Sequence, residues 1–294
     1  MTTAFSHIAI VGMGLIGGSF AAALKEYGLA LSITGVDRDE ATLRYAQQCG
    51  LIDHGLTSIT PSLAGCSHLF VATPVGTFAQ IFQQVAHHIP TVKVVDFGSV
   101  KGELSLELHQ RFPQLDYLPA HPIAGSERSG IHAADSRLFM SRKFILTPLP
   151  KTSPDLTFQM QEVLQKISAH VCTMDPVEHD EIFGAVSHLP HMIAYALVDA
   201  ISAMEKTSGL ELSRYPGAGF RDFTRIASSD ETMWTDIALA NRSQLLNGLE
   251  SFQNSLGNLR SAIENNDSES LKTLFRDARR YRDAIVRHME STHA

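Results

Sequence analysis

The stretch IAIVGMGLIGGS, residues 8–19, decides the fold. Four apolar, strand-favouring residues run into Gly12-Met13-Gly14-Leu15-Ile16-Gly17, and a helix-favouring run, LIGGSFAAALKEYG, follows. Strand, GxGxxG and helix in that order make the first unit of a dinucleotide-binding domain. Gly12 permits the tight turn, Gly14 lets a pyrophosphate approach the backbone, and Gly17 lets the helix pack closely on the strand. The helix start at Leu15 and Ile16 supplies amide donors and a positive dipole end. A glycine turn after a strand is common by itself, so the next strand matters. LSITGVD ends on Asp37, twenty residues after Gly17, where an acid meets a ribose 2′-hydroxyl. Asp37 repels a 2′-phosphate, so NAD is expected over NADP, although Arg38 beside it would tolerate the phosphate.

Outward from this loop, short apolar runs alternate with helix-period segments. HIAIVG, LSITGVD, SHLFVAT, KVVDFG and KFILTP are strand candidates; EATLRYAQQCG, GTFAQIFQQVAHHI and KGELSLELHQRF lie between them. Strands rich in Val, Ile and Phe without strict alternation suit a parallel sheet covered on both faces. The expectation is an α/β, Rossmann-type, doubly wound domain over residues 1–174. After HVCTMD the strand signals stop. Asp175 to Glu178 forms a capping box with proline at the first helical position. Further boxes at Ser228–Glu231 and Asn266–Glu269 open two more helical patterns, so residues 175–294 read as an all-α domain. Pro190 lies inside one pattern and predicts a kink or break. The helix pattern over 182–204 is so apolar that most of it must be covered, which predicts a homodimer through the helical domain.

The totals restrict the partners. With 294 residues, a formal charge of −7 and scattered Lys and Arg, the chain offers no stripe for nucleic acid or an anionic membrane. Cys49, Cys66 and Cys172 stand far apart, as reduced thiols in a cytoplasmic protein do. The N-terminus has no basic residue ahead of its apolar run and is broken by glycines, so it reads as neither signal peptide nor membrane span.

Three further segments carry chemistry. Ala72-Thr73-Pro74-Val75 ends a strand, and Thr73 and Pro74 are placed to wall the nicotinamide side of a crevice. Asp96-Phe97-Gly98-Ser99-Val100-Lys101-Gly102 ends another, with Ser99 and Lys101 as candidates to face that crevice. AHPIAGSERSG, residues 120–130, reads first as a surface turn. If it joins the other strand ends, however, His121 becomes a candidate general base. In the helical part, SHLPH sets His188 and His191 on one face; a third metal ligand is missing and a redox step on NAD needs none, so no metal is expected. GAGFRDFTRIASSD, residues 217–230, reads either as a solvated loop or as an arginine clamp for a carboxylate, oriented by Asp222.

Together GMGLIGGS, GSVKG, HPIAGSERSG, SHLPH and GAGFRDFTRIASSDETMW resemble the prephenate/arogenate dehydrogenase family of tyrosine biosynthesis, in order from residue 6 to 245. The resemblance implies oxidative decarboxylation of a cyclohexadienol. NAD takes a hydride from the carbinol carbon, the ring carboxylate leaves as carbon dioxide, and the ring becomes aromatic. It implies that His121 polarises the ring hydroxyl, that Ser99 assists there, and that Arg225 holds a substrate carboxylate. Glu127 and Asp222 match a surrounding polar network, Ser126 a small hydroxyl position, and His191 a histidine near the substrate side chain. Prephenate is expected over arogenate because His191 is read as a donor to a keto group, while Glu127 would welcome an ammonium. The chain ends directly after its last helix pattern, so tyrosine inhibition is expected to act at the active site. Neither a regulatory module after the helices nor a chorismate mutase ahead of the first strand is expected. Two alternatives stand beside this reading. A β-hydroxyacid dehydrogenase would need a catalytic lysine in the helical part, where Lys206 is the one early candidate; a non-catalytic NAD sensor would need no acid–base set.

Overall fold

The computed structural model describes residues 3–125 and 128–292. Its strands are β1 (Phe5–Val11), β2 (Ala30–Val36), β3 (His54–Leu56), β4 (His68–Val71), β5 (Lys93–Asp96), β6 (Tyr117–Pro122), β7 (Lys143–Leu146) and β8 (His170–Thr173). They form one sheet in the order β3-β2-β1-β4-β5-β6-β7-β8, parallel except where β6 meets β7. Five helices alternate with the strands: α1 (Leu15–Glu26), α2 (Glu40–Gln48), α3 (Phe78–His88), α4 (Gly102–Arg111) and α5 (Pro154–Lys166). Strand order reverses between β1 and β4, and an open α/β sheet binds its ligand outside the carboxyl ends at such a point.

Alternate strand residues serve opposite faces. Ile8, Ile10 and Phe70 join Phe20, Phe97, Phe139 and Phe144 on one side. Ala9, Val11, Leu69 and Val71 join Phe78, Phe82 and Phe112 on the other. The first cluster is strongly aromatic, with Phe20 centred 4.8 Å from Phe70 and 4.9 Å from Phe97. Full burial of one such ring contributes about 1.5–3 kcal/mol, which makes this cluster a main source of the sheet's stability.

The strand expected at each of the five apolar runs is present. The proline turn expected at His121-Pro122 is a correction: both residues are the end of β6, with His121 opposite Ile145 of β7. Proline is tolerated there because it closes the strand.

After β8 come α6 (Pro176–Phe183), α7 (Leu189–Ser208), α8 (Ala218–Thr224), α9 (Glu231–Ala240), α10 (Arg242–Glu264) and α11 (Ser268–Thr292). The break expected near Pro190 takes the form of a π-helical turn, Gly184–His188, between α6 and α7. Pro190 itself stands in the first turn of α7, directly after the π-helical turn, so the local unwinding coincides with the residue that cannot donate. Asp175 caps α6 as expected, accepting from the amides of Val177 and Glu178. The other two caps shift. Asp230 rather than Ser228 accepts from the Met233 amide, and Asp267 rather than Asn266 accepts from the Ser270 amide. In both cases the carboxylate nearest the helix start takes the position, as its charge suits the dipole. The chain divides into two compact units, residues 1–244 and 245–294, so α6 to α9 belong with the sheet. No helix among the described residues is long and apolar enough to cross a membrane.

Candidate active site

The glycine loop follows β1 as expected. Gly12 has φ of +91°, and a Cβ there would stand 2.8 Å from both the Ala72 carbonyl and Thr73 Cγ2, so no other residue fits. Gly14 has open space where its Cβ would be, and Gly17 packs against the Gly12 carbonyl. Leu15 and Ile16 begin α1, whose N-terminus has no side-chain cap. Its amides are therefore available to an anion. Asp37 lies beside the loop: one carboxylate oxygen accepts from the Met13 amide at 2.8 Å and the other from the Asp39 amide at 3.0 Å. The carboxylate is thus held in place with lone pairs to spare for a ribose hydroxyl. These residues fit a dinucleotide. Arg38 is exposed. Thr73 and Pro74 follow β4, and the Thr73 and Thr77 hydroxyls are 2.7 Å apart.

The ends of β1, β2, β4, β5 and β6 all lie at the same carboxyl edge, because these strands run parallel. That edge brings Ser99 and His121 to the glycine loop's side of the sheet. Beneath it is a buried polar network. Lys101, expected to face the crevice, is instead fully buried and ion-paired to Asp96, whose other oxygen accepts from Tyr117 at 2.6 Å. The apolar strands leave Lys101 no water, so it needs that carboxylate. Burial lowers its pKa against the opposing pull of Asp96. The same burial, with the Asp96 charge, raises the Tyr117 hydroxyl well above its ordinary value.

From the helical side α6 closes this network. Asp180 accepts from the Lys101 amide at 2.8 Å and from the Gly102 amide at 2.7 Å. A Cβ on Gly102 would meet Asp180 Oδ2 at 2.7 Å, so this glycine is what admits the carboxylate. His179 Nδ1 stands 2.8 Å from Asp180 Oδ1, and His179 Nε2 stands 2.9 Å from His121 Nδ1. Phe183 packs against both rings, at 4.5 Å and 5.2 Å between centroids. Burial, then the nearby His179, Lys101 and His188, hold His121 well below the ordinary histidine value. It therefore stays neutral at neutral pH, with one ring nitrogen free to accept a hydrogen bond.

Val100, between Ser99 and Lys101, packs under Trp234, Ile237, Met192 and Tyr195, which joins the GSVKG loop to α7 and α9. Asp236 adds a second tie, accepting from the Gly76 amide at 3.1 Å. His191 stacks on Trp234 at 3.6 Å between ring centroids. Its Nδ1 is 2.9 Å from the Ser187 carbonyl, an atom that can only accept. Burial keeps the ring below the ordinary histidine value, so the neutral form has its proton on Nδ1 and a lone pair on Nε2. The expectation that His191 donates to a substrate keto group is thereby corrected. His188 is engaged elsewhere, with Nδ1 3.0 Å from Asn241, and burial brings it down to about 4. Asp222 and Arg225 lie on α8 and the following turn, both exposed, against α7. Ser126 and Glu127 fall outside the described residues. Lys206 is exposed in the last turn of α7, which is no place for the catalytic lysine of the β-hydroxyacid alternative.

Reading the sequence alone missed His179, Asp180, Asp96 and Trp234. A signal was present: a His-Asp pair on the strongly apolar helix pattern after Asp175 calls for buried partners, since such groups are rarely buried unpaired.

Comparison with known proteins agrees with this geometry. Residues 20–173 match the model of the prephenate dehydrogenase nucleotide-binding domain, and residues 175–277 that of the prephenate dehydrogenase dimerization domain. The chain is 34% identical to a prephenate dehydrogenase of Bacillus subtilis, over 95% of this chain and 76% of that one. It is 33% identical to a cyclohexadienyl dehydrogenase of Zymomonas mobilis, over 96% of this chain and 97% of that one. A crystal structure of prephenate dehydrogenase from A. aeolicus, in complex with hydroxyphenyl propionate and NAD+, superposes with a TM-score of 0.90 at 36% identity. It covers 97% of this chain and 100% of that one. With both domain models matched in order and a full-length fold in common, this chain belongs to the prephenate dehydrogenase family.

Proposed function

We propose that this chain catalyses the NAD-dependent oxidative decarboxylation of prephenate to 4-hydroxyphenylpyruvate, in tyrosine biosynthesis in the cytoplasm. The observation that carries the reading is the placement of a neutral His121 and the Asp37-flanked glycine loop at one carboxyl edge of one sheet. Gly12, Gly14, Leu15, Ile16, Gly17, Asp37, Arg38, Thr73 and Pro74 would hold the dinucleotide, which supplies a hydride acceptor when bound. His121 accepts a hydrogen bond from the ring hydroxyl and draws off the positive charge that builds there as the carbinol hydrogen departs. Ser99 supports the same hydroxyl. Loss of the ring carboxylate then returns an electron pair to the ring, and aromatisation drives the step. Arg225, oriented by Asp222, holds a substrate carboxylate, with Ser126, Glu127 and His191 around the side chain.

A second reading, arogenate or dual cyclohexadienyl specificity, is favoured by the His191 lone pair, since an acceptor suits an ammonium better than a keto oxygen. The functional division into residues 1–174 and 175–294 is supported by the family models meeting there. We further propose that the exposed apolar face of the helical part is covered by a second copy of the chain, and that tyrosine competes at the same active site. The deciding experiment supplies purified protein with prephenate or arogenate and NAD or NADP, and follows reduced nicotinamide. Turnover of prephenate with NAD is expected; no turnover of either substrate would overturn the assignment.

A further inference from the structure

The chain of side chains behind His121 decides where that ring carries its proton. Asp180 Oδ1 accepts, so the proton in its 2.8 Å contact belongs to His179 Nδ1. A neutral His179 then has its lone pair on Nε2. The 2.9 Å contact from there to His121 Nδ1 is a hydrogen bond only if His121 donates it. Resting on the reading of His121 as the base, we propose that His179 and Asp180 are positioning residues that lock His121 in the Nδ1–H tautomer and so reserve Nε2 for the substrate hydroxyl.

The groups around His179 support a neutral ring. Asp180 faces it from α6, His121 from β6, and Asp96 and Lys101 from the end of β5 and the loop beyond; burial and Lys101 outweigh the acids and lower its pKa. Asp180 cannot swing away, because the Lys101 and Gly102 amides hold both its oxygens while Asn241 Nδ2 donates to its backbone carbonyl at 3.0 Å. As Nε2 of His121 takes up hydroxyl-proton character, the ring's new positive charge strengthens the hydrogen bond to His179 and, through it, the one to Asp180. A free histidine has no such constraint, and a base in the wrong tautomer presents a donor where an acceptor is needed. The arrangement also makes base strength depend on docking α6 onto the GSVKG loop.

The test is ring-nitrogen NMR on histidine-labelled protein, with the His121 signals assigned by their loss in His121→Asn, together with kinetics on prephenate and NAD. Wild type is expected to show a protonated Nδ1 and a bare Nε2 at neutral pH. His179→Leu is expected to lower kcat by roughly 10–100-fold with both KM values little changed, the usual size for a lost orienting partner. His179→Gln, whose amide oxygen can accept from His121, recovers most of that loss. In a His121→Asn background, His179→Leu adds no further loss. A protonated Nε2 in wild type overturns the proposal, as does unchanged kcat in His179→Leu while His121→Asn is crippled. Full activity of His121→Asn would instead overturn the base assignment beneath it, and the wild-type spectrum separates these failures even if His179→Leu does not fold.

Discussion

Helices α1 and α7 are both apolar, yet they end in different surroundings. Gly17, Gly18, Ser19, Phe20, Ala21, Ala23 and Leu24 of α1 are buried against the sheet. In α7 only Ala194 is buried, while Val198 and Met204 are 39% and 57% exposed. The second compact unit shows the same character by itself: Leu256, Ile263, Phe275 and Tyr281 are exposed. The difference teaches where the molecule is complete. The apolar faces of the sheet and the polar network from Asp96 to His121 are packed and paired within one chain. The apolar helical surface has the composition of an interior without the contacts of one, which is what a dimerising surface looks like in a single copy.

The largest expected effect tests the complete region. His121→Asn should keep substrate binding and lower kcat by about 10²–10⁴ in steady-state assays; a kcat near wild type would remove the base from the mechanism. Arg225→Ala, in the exposed region, should act mainly on KM for prephenate, raising it by roughly 10–100-fold, the value of a charge-assisted hydrogen bond. An effect confined to kcat would put Arg225 at the reacting carbon instead. Met204→Glu tests the comparison most directly. Sedimentation should show a dimer for wild type and a smaller species for the variant, with kcat reduced less than in His121→Asn. A monomeric wild type at about micromolar concentration would mean that α7 is simply exposed.

The last expectation concerns stability against pH. His68, His121, His179 and His188 are all held below the ordinary histidine value, chiefly by burial, with His68 and His188 near 4. Below about pH 6.5 the unfolded chain binds protons that the folded one refuses, so stability is full above that pH and falls toward pH 4. Thermal melts from about pH 7 to 4.5 should show a steep fall, and a flat Tm would show that these rings are hydrated.

How much was legible follows from how local each signal is. The GxGxxG loop, Asp37 and the five apolar strands rest on spacing within one βα unit, and they stand where the sequence put them. β6 was hidden because its proline looked like a turn, and two caps slipped because a neighbouring carboxylate outcompeted the expected hydroxyl or amide. Lys101 is deceptive in the sequence, because a lysine in a glycine-rich loop suggests exposure until its buried partner Asp96 is seen. The polarity of His191 is not legible in the sequence, since only the Ser187 carbonyl says which nitrogen has the proton.

The amino-acid order by itself determined the doubly wound sheet, the dinucleotide loop and the candidacy of His121, because periodicity and glycine spacing act over a few residues. Only the tertiary structure decided the state of that histidine. Its partner lies 58 residues away on another element, and a proton's position on an imidazole is set by contact rather than by sequence.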